Sequence, residues 1–249
     1  MKVRMKMIKA DLKNTLIIVP VYNSGWHIEE LLKRIFAISE EINVLCIDDG
    51  SRDNSLYVIK KYHEKNENVR YLELGINRGK GYALKTGFIY ANEHGFDFAL
   101  TLDSDLQHDP AFIPNFIKTQ NVENADLVIG FRKFGRRWKK DNFTSYSEKK
   151  MPLPRIFSNS ITSGIVSIMT KQQIYDSQSG YRLYNLKLFA KDEIKTDKYQ
   201  METEILINYI KKKAIIAQTE ISVIYNREMS YISHMRDIVN FVNVIVREL

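Results

Sequence analysis

Phe98-Ala99-Leu100-Thr101-Leu102-Asp103-Ser104-Asp105-Leu106-Gln107-His108-Asp109-Pro110 decides the reading of the fold. Phe98–Leu102 is a short uncharged run with the length and composition of a buried strand. It stops at two acids, and His108-Asp109-Pro110 reads as a helix start. Ligands of open α/β sheets bind at the carboxyl ends of the strands. Residues i and i+2 of an extended chain point to one side, so Asp103 and Asp105 are expected to face one point just beyond the strand. Paired carboxylates attract hard ions such as Mg2+ or Mn2+, which take oxygen ligands and bridge phosphates. Gln107 adds a third oxygen if the chain stays extended for two more residues. A lone Asp-x-Asp is common in loops, and its place after a buried strand is what sharpens it.

The pattern repeats on the N-terminal side. Thr15–Val19, Val44–Ile47 and Val69–Leu74 are further β-branched runs, and Leu127–Ile129 follows downstream. Helical stripes lie between them: Ile28, Leu31, Leu32, Ile35 and Phe36; then Leu56, Ile59, Lys60 and His63; then Tyr82 to Ala91. Strands alternating with helices predict a mainly parallel, Rossmann-like α/β sheet covered on both faces. Polar clusters sit at the strand ends. Tyr22-Asn23 follows the first, beside Pro20, and Asp48-Asp49-Gly50-Ser51 follows the second. Gly50 and Ser51 suit a turn, with Ser51 or Asp53 capping the next helix. Two acids in a row exceed what a turn needs, so one is expected to contact a nucleotide base or ribose. Gly79-Lys80-Gly81 marks a helix start where backbone N–H groups and Lys80 can meet phosphate.

The second half changes character. Phe131–Arg155 is basic and loop-like, with Lys133, Arg136, Arg137, Trp138, Lys139 and Lys140 mixing charge and an aromatic as interfacial segments do. Helical patterns follow at Ile156–Thr170 and Tyr199–Lys213, a strand within Ile215–Tyr225, and an amphipathic helix at Met235–Leu249. That last helix spans about 22 Å, short of the ~30 Å core of a bilayer.

Composition sets the frame. The 249 residues carry a net charge of +7, which suits an anionic partner: phosphates, an anionic membrane surface or, on charge and the basic loop alone, nucleic acid. Five Pro and 11 Gly argue against long disordered linkers. Cys46 is the single cysteine, which excludes an internal disulfide and fits a reducing compartment. Met1–Lys9 lacks the apolar core of a signal peptide, and no stretch reaches the ~20 apolar residues of a membrane span. The expectation is a cytoplasmic protein, peripheral on the membrane at most. No Walker P-loop, no Gly-x-Gly-x-x-Gly after the first strand and no zinc spacing occurs. His27, His63, His94 and His234 are isolated and read as surface or packing residues.

Taken in order, Ile18–Asn23, Ile47–Asp53, Asn77–Ala83 and Leu102–Pro110 resemble the family-two inverting glycosyltransferases of the GT-A fold. The Leu-Gln-His-Asp-Pro continuation and Gln178-Ser179-Gly180-Tyr181-Arg182-Leu183-Tyr184 resemble the dolichyl-phosphate mannose synthase-like and bacterial polyprenyl-phosphate enzymes. The resemblance covers residues 14 to 235. It implies one domain over 1–249, with about 14–130 binding a nucleotide-diphosphate sugar and about 131–249 facing the acceptor. It implies Pro20, Tyr22 and Asp49 at the nucleoside, Asp103 and Ser104 at the nucleotide, and Asp103, Asp105 and Gln107 at the metal. Arg132 matches an arginine near the phosphates. Arg155, with Ser158 or Asn159, falls where an acceptor phosphate is met, and Gln178, Ser179 and Arg182 lie in the acceptor-side segment. Tyr225–Ser230 contributes Arg227 and Ser230, without the Gly-x-Ser-Lys of the dolichyl enzymes.

Charge gives the mechanism. Negative charge builds on the departing diphosphate, and a divalent ion at Asp103 and Asp105 offsets it, aided by Arg132 and Lys80. A lipid-phosphate acceptor is already anionic, with a second pKa near ~6, and needs orientation by Arg155, Arg182 or Arg227 rather than a base. A sugar hydroxyl needs a base, for which Glu202 or Glu204 stand ready, although acids there also suit a helix N-terminus. A nucleotidyltransferase, which releases pyrophosphate, and a non-catalytic nucleotide-sugar or nucleic-acid binder are the readings from other classes.

Overall fold

The computed structural model describes residues 8–132, 153–196 and 200–222, with the side chains of 153–156 outside that description. Seven strands form one sheet: β1 (Thr15–Val21), β2 (Asn43–Asp48), β3 (Val69–Glu73), β4 (Phe98–Thr101), β5 (Leu127–Arg132), β6 (Arg182–Asn185) and β7 (Ile216–Ile221). Their order is β3-β2-β1-β4-β6-β5-β7. The pairs β1–β2, β2–β3, β1–β4 and β5–β7 are parallel. β6 runs antiparallel between β4 and β5. The expected mainly parallel α/β sheet is present.

The alternation along the strands explains why both faces are covered. Leu16 and Ile18 of β1 and Leu45 and Ile47 of β2 enter one core, while Ile17, Val19, Val44 and Cys46 enter the other. A strand buried on both sides reads as a near-continuous apolar run, and β1, apolar from Leu16 to Val21, is buried at all seven positions. The first core is closed by α3 (Lys80–Glu93), α5 (Leu153–Thr170) and α6 (Gln200–Lys211), and the second by α1 (Gly25–Phe36), α2 (Ser55–Lys65) and α4 (Ile113–Glu123). The described residues on both sides of position 130 thus share one sheet.

Several boundaries differ from the sequence reading. β5 continues through Phe131 and Arg132, and α5 already includes Arg155, so neither end of Phe131–Arg155 is loop. β5 extends because its register with β7 runs on to Arg132↔Ile221. The buried face of α2 is Ser55, Val58 and Ile59 rather than a stripe through Lys60 and His63. Lys60 turns out to Glu73, and His63 Nδ1 lies 2.6 Å from the Val69 carbonyl. Lys133–Lys140, Arg227, Ser230 and Met235–Leu249 lie outside the described residues. No helix among the described residues is long and apolar enough to cross a membrane.

Candidate active site

The carboxyl ends of β1, β2 and β4 form one edge, and their loops are stitched together. The Asn23 N–H donates to Ser51 Oγ at 3.0 Å, and Asn23 Oδ1 accepts from the Arg52 N–H at 2.8 Å. The Ser24 N–H donates to Ser55 Oγ at 2.8 Å, and the Gly25 N–H to Asp53 Oδ2 at 2.9 Å. Neither Ser51 nor Asp53 is the helix cap expected: Asn54 holds that position, and Asp53 instead accepts the Ser55 N–H. Gly50 adopts φ +72, and a Cβ there would stand 2.7 Å from the Ile76 carbonyl carbon, so the loop before α3 packs directly on it. Pro20 is buried in β1, while Tyr22 and Trp26 present half-exposed or exposed rings at the same edge. Trp26 was not singled out in the sequence, since one aromatic in a helical stretch carries no distinguishing pattern.

Asp49 is 3% exposed, and its two oxygens accept the N–H groups of Arg78 and Gly79, each at 2.8 Å. The carboxylate therefore grips the loop that opens α3. Its buried neighbour Asp48 turns back to the Ser51 N–H. Asp49→Ala strands two backbone donors, at roughly 1–3 kcal/mol each where they stay buried. It is expected to lower the thermal midpoint by several degrees and UDP or GDP affinity by about tenfold, a loss of ~1.4 kcal/mol. Unchanged affinity in calorimetry rejects any part for this loop in nucleotide binding.

At the end of β4 the chain does not stay extended. It turns at Ser104–Asp105, and Leu106 takes φ 59. Asp105 Oδ1 accepts the Gln107 N–H at 3.0 Å, an Asx-type turn that replaces the extended run expected to present Gln107 as a third oxygen. Ser104 Oγ lies 3.1 Å from Ser24 Oγ, tying the acid pair to the loop after β1. Asp109 caps the short 3-10 turn at Pro110–Phe112, as the sequence implied.

Asp103 meets a cation of the protein itself. The Lys80 ammonium lies 2.7 and 3.0 Å from its two oxygens, and 3.5 Å from Glu202 Oε1. Burial alone would push the Lys80 ammonium down, but Asp103, Glu202 and Asp105 together hold it well above the ordinary lysine value. Gly180 walls this group: a Cβ there would stand 2.9 Å from Lys80 Nζ, 3.1 Å from Glu202 Oε1 and 3.4 Å from Asp103 Oδ2. Four distant elements thus converge at one point: the start of α3, the end of β4, the loop before β6 and the start of α6.

His108 belongs to this neighbourhood, although the sequence reading used it to mark a helix start. It is 7% exposed beside the Tyr181 ring at 5.2 Å, and its Nδ1 has no hydrogen-bond partner. Burial pushes its imidazole down to about 4 against the pull of Asp103, so it is neutral at neutral pH. Its place three residues after Asp105 was the available signal.

Other expected site residues make contacts within the protein. Arg132 forks onto Asp176, with Nε 2.5 Å from Oδ2 and Nη2 2.9 Å from Oδ1. Asp176 is fully buried, a partner the sequence did not mark. Arg182, expected on the acceptor side, is turned inward. At 1% exposure it donates to the carbonyls of Ser179 (2.7 Å), Ser177 (2.6 Å) and Glu202 (3.0 Å). Glu204, the other expected base, is turned inward. It is fully buried and accepts from the N–H groups of Lys195 and Thr196 and the Thr196 hydroxyl. Ser158 and Asn159 are buried on α5 and meet Gln178: Gln178 Nε2 donates to Ser158 Oγ at 3.1 Å, and the Gln178 N–H to Asn159 Oδ1 at 3.3 Å. Ser179 is buried, its hydroxyl accepting from the Tyr181 N–H. Both helix-facing networks fix the loop that ends in Gly180.

Among the described residues no group of three or more His, Cys, Asp or Glu is spaced to cage a metal. A Mg2+-type ion does not need one, since it is commonly held by one or two carboxylates together with substrate phosphates.

Comparisons with known proteins give the family and the fold. The model of glycosyl transferase family 2 matches residues 16–192. An uncharacterized protein of Methanocaldococcus jannaschii is 30% identical over 225 residues, 87% of this chain and 91% of that one. A relative from Methanococcus voltae, 28% identical over 84% of this chain and 85% of its own, is named UDP-N-acetylglucosamine–dolichyl-phosphate N-acetylglucosaminyltransferase. Undecaprenyl-phosphate 4-deoxy-4-formamido-L-arabinose transferase of Photorhabdus laumondii is 32% identical over 51% of this chain and 39% of its own. Among solved structures, glucosyl-3-phosphoglycerate synthase of Mycobacterium tuberculosis, in complex with Mn2+, UDP and glucosyl-3-phosphoglycerate, superposes with a TM-score of 0.69 at 17% identity, covering 94% of this chain and 79% of that one. With the family model matching residues 16–192, which include the acid pair at the end of β4, the chain belongs to glycosyl transferase family 2 and is a glycosyltransferase of the GT-A fold.

Proposed function

We propose that the chain transfers a sugar, with inversion, from a nucleoside-diphosphate sugar to a polyprenyl phosphate, using Mg2+ or Mn2+. The observation that carries the donor side is the convergence of Asp103, Lys80, Glu202 and Gly180 at the carboxyl edge of the sheet. The relative from Methanococcus voltae, similar along most of both chains, supports the acceptor class.

The residues present fit a divalent ion. Asp103 already grips a cation with both oxygens, and Glu202 Oε1 beside it is a buried oxygen that accepts no hydrogen bond. Asp103 and Asp105 would hold the ion, which supplies Lewis-acid neutralisation of charge on the diphosphate. Tyr22 offers a ring to the nucleoside at the β1 edge, and Asp49 orients the loop that leads to Lys80. Lys80 meets the diphosphate oxygens from the start of α3, where backbone N–H groups add to it. Residues 14–130 form the donor side and 131–249 the acceptor side, with Arg155 orienting an acceptor phosphate at a membrane surface. Inversion follows from direct attack by that phosphate opposite the leaving group, and no base is needed.

The second reading is a saccharide acceptor, with Glu202 as base. Its support is that Glu202 Oε1 reaches the group around Lys80, whereas Glu204 is occupied.

The test is a screen of UDP-, GDP- and dTDP-sugars with Mn2+ or Mg2+, offering polyprenyl phosphate against neutral saccharides. The expected product is a lipid-linked sugar. Arg155→Ala is expected to slow its formation by about one to two decades, the worth of a charge-assisted hydrogen bond of roughly 1.5–3 kcal/mol, at unchanged nucleotide affinity. Ready transfer to a saccharide with none to the lipid overturns the reading and makes Glu202 the residue to change next.

A further inference from the structure

The polarity of α5 runs against that of a helix packed on its own domain. The face turned to the protein is largely polar: Ser158, Asn159, Thr162 and Ser163 are buried there beside Val166. The Ser177 hydroxyl meets those of Thr162 at 2.9 Å and Ser163 at 3.2 Å, so the loop before β6 satisfies this face. The face turned away is apolar. Phe157 is 64% exposed and Ile168 80%, with half-buried Ile161 and exposed Gly164 between them. Positions 157, 161, 164 and 168 form one stripe at helical spacing, and such a stripe ordinarily faces a core. A Cβ at Gly164 would meet nothing within 4 Å, so the middle of the stripe is open.

The charges around the stripe choose its occupant. Ile156–Thr170 holds no Asp, Glu, Lys or Arg, which leaves a protein partner no charge on α5 to pair with. Four positions are also far fewer than the roughly 20–30 residues a side of a stable protein interface. Residues 133–155, which lead into the helix, hold eight Lys or Arg and two Asp or Glu, a net +6 of the chain's +7. An apolar stripe that follows so basic a stretch of chain matches an anionic bilayer, whose acyl boundary takes the stripe and whose headgroups take the charge.

We propose that the outer face of α5 lies in the interface of an anionic bilayer, with Phe157, Ile161 and Ile168 entering the boundary between headgroups and acyl chains. The proposal rests on the reading of the acceptor as a membrane lipid. Position 155 stands in the first turn of α5, so a helix lying in the interface keeps it at the depth of lipid phosphates. The helix lies on the membrane rather than crossing it, since no described helix is long and apolar enough to span one.

The experiment is flotation of the full chain with vesicles of phosphatidylcholine, with and without phosphatidylglycerol, together with a nitroxide label on Gly164→Cys. Cys46 is fully buried, which directs the label to position 164. The chain is expected to bind the anionic vesicles at least about tenfold more tightly than the neutral ones. The label should become accessible to oxygen and shielded from a water-soluble nickel chelate only when anionic vesicles are present. Phe157→Ser with Ile168→Ser should weaken vesicle binding by about tenfold or more at an unchanged thermal midpoint, through the apolar area lost. A label already shielded before vesicles are added overturns the proposal, and the sedimenting mass then tells a second copy from another segment of the same chain. Equal binding to neutral and anionic vesicles, or no binding to either, also rejects it. So does vesicle binding that the double variant and the label do not register, which puts the contact elsewhere. Transfer to polyprenyl phosphate in detergent, measured on the same preparations, keeps the two readings apart: transfer without docking removes only the role of α5, and loss of transfer to the lipid removes the acceptor reading.

Discussion

Arg182→Ala is expected to destabilise the protein by about 4 kcal/mol or more, among the largest effects a single substitution produces. Arg182 is the largest fully buried side chain described, and its guanidinium serves three carbonyls. Removing it orphans those carbonyls at roughly 1–3 kcal/mol each and opens a cavity whose lining loses its contacts. For a chain of this size each kcal/mol moves the midpoint by about 2–4 °C, so thermal unfolding should fall by roughly 10 °C. The carbonyls belong to Ser177 and Ser179, which lead into Gly180, and to Glu202. Arg182 therefore positions two of the walls around Lys80 without touching them through a charge of opposite sign. Arg182→Lys should recover little, because one ammonium cannot span three carbonyls arranged for a planar fork. A variant with an unchanged midpoint and weakened use of lipid phosphate would return Arg182 to the acceptor-facing role its motif implied.

The burial of Arg182 shows where sequence stops being informative. β1 and β2 were legible because burial on both faces favours a near-continuous apolar run, and Leu16–Val21 and Val44–Ile47 have few other readings. β6 was not legible. It has four residues, two of them Arg182 and Asn185, and its partners β4 and β5 lie far earlier in the chain. Its strand character comes from the ladder it completes, not from its own pattern. The same holds for charges. Arg and Glu default to solvent, and what buries Arg182 and Glu204 is a set of backbone groups from loops remote in sequence. The acid pair after β4 was visible from spacing, but its geometry was not: the left-handed Leu106 and the Asx turn at Asp105 break the extended run that spacing assumed. His108, read only as part of a helix start, and Asp176, not marked at all, show that a buried polar residue announces itself through its neighbours rather than through its own position.

Asp105→Asn is expected to cut sugar transfer by about two to three decades or more, the range for losing one preorganised electrostatic contact to the departing group. The substitution is chosen because it separates chemistry from folding. Asparagine keeps an oxygen where Asp105 Oδ1 accepts the Gln107 N–H, so the turn that presents the acid pair survives. What disappears is a negative charge that acts on Lys80 across the same group. Retention of that turn is the reason to expect a folded variant, and the thermal midpoint checks it. Two readouts then decide the role. Steady-state transfer in Mn2+ should fall while the thermal midpoint stays put, and the affinity for Mn2+ in the presence of nucleotide should fall with it. Near wild-type turnover in Mn2+ removes Asp105 from the metal site and leaves Asp103 and Glu202 as the carboxylates to examine. A midpoint that drops in step with activity instead assigns Asp105 to the architecture of the turn, with its charge incidental to the reaction.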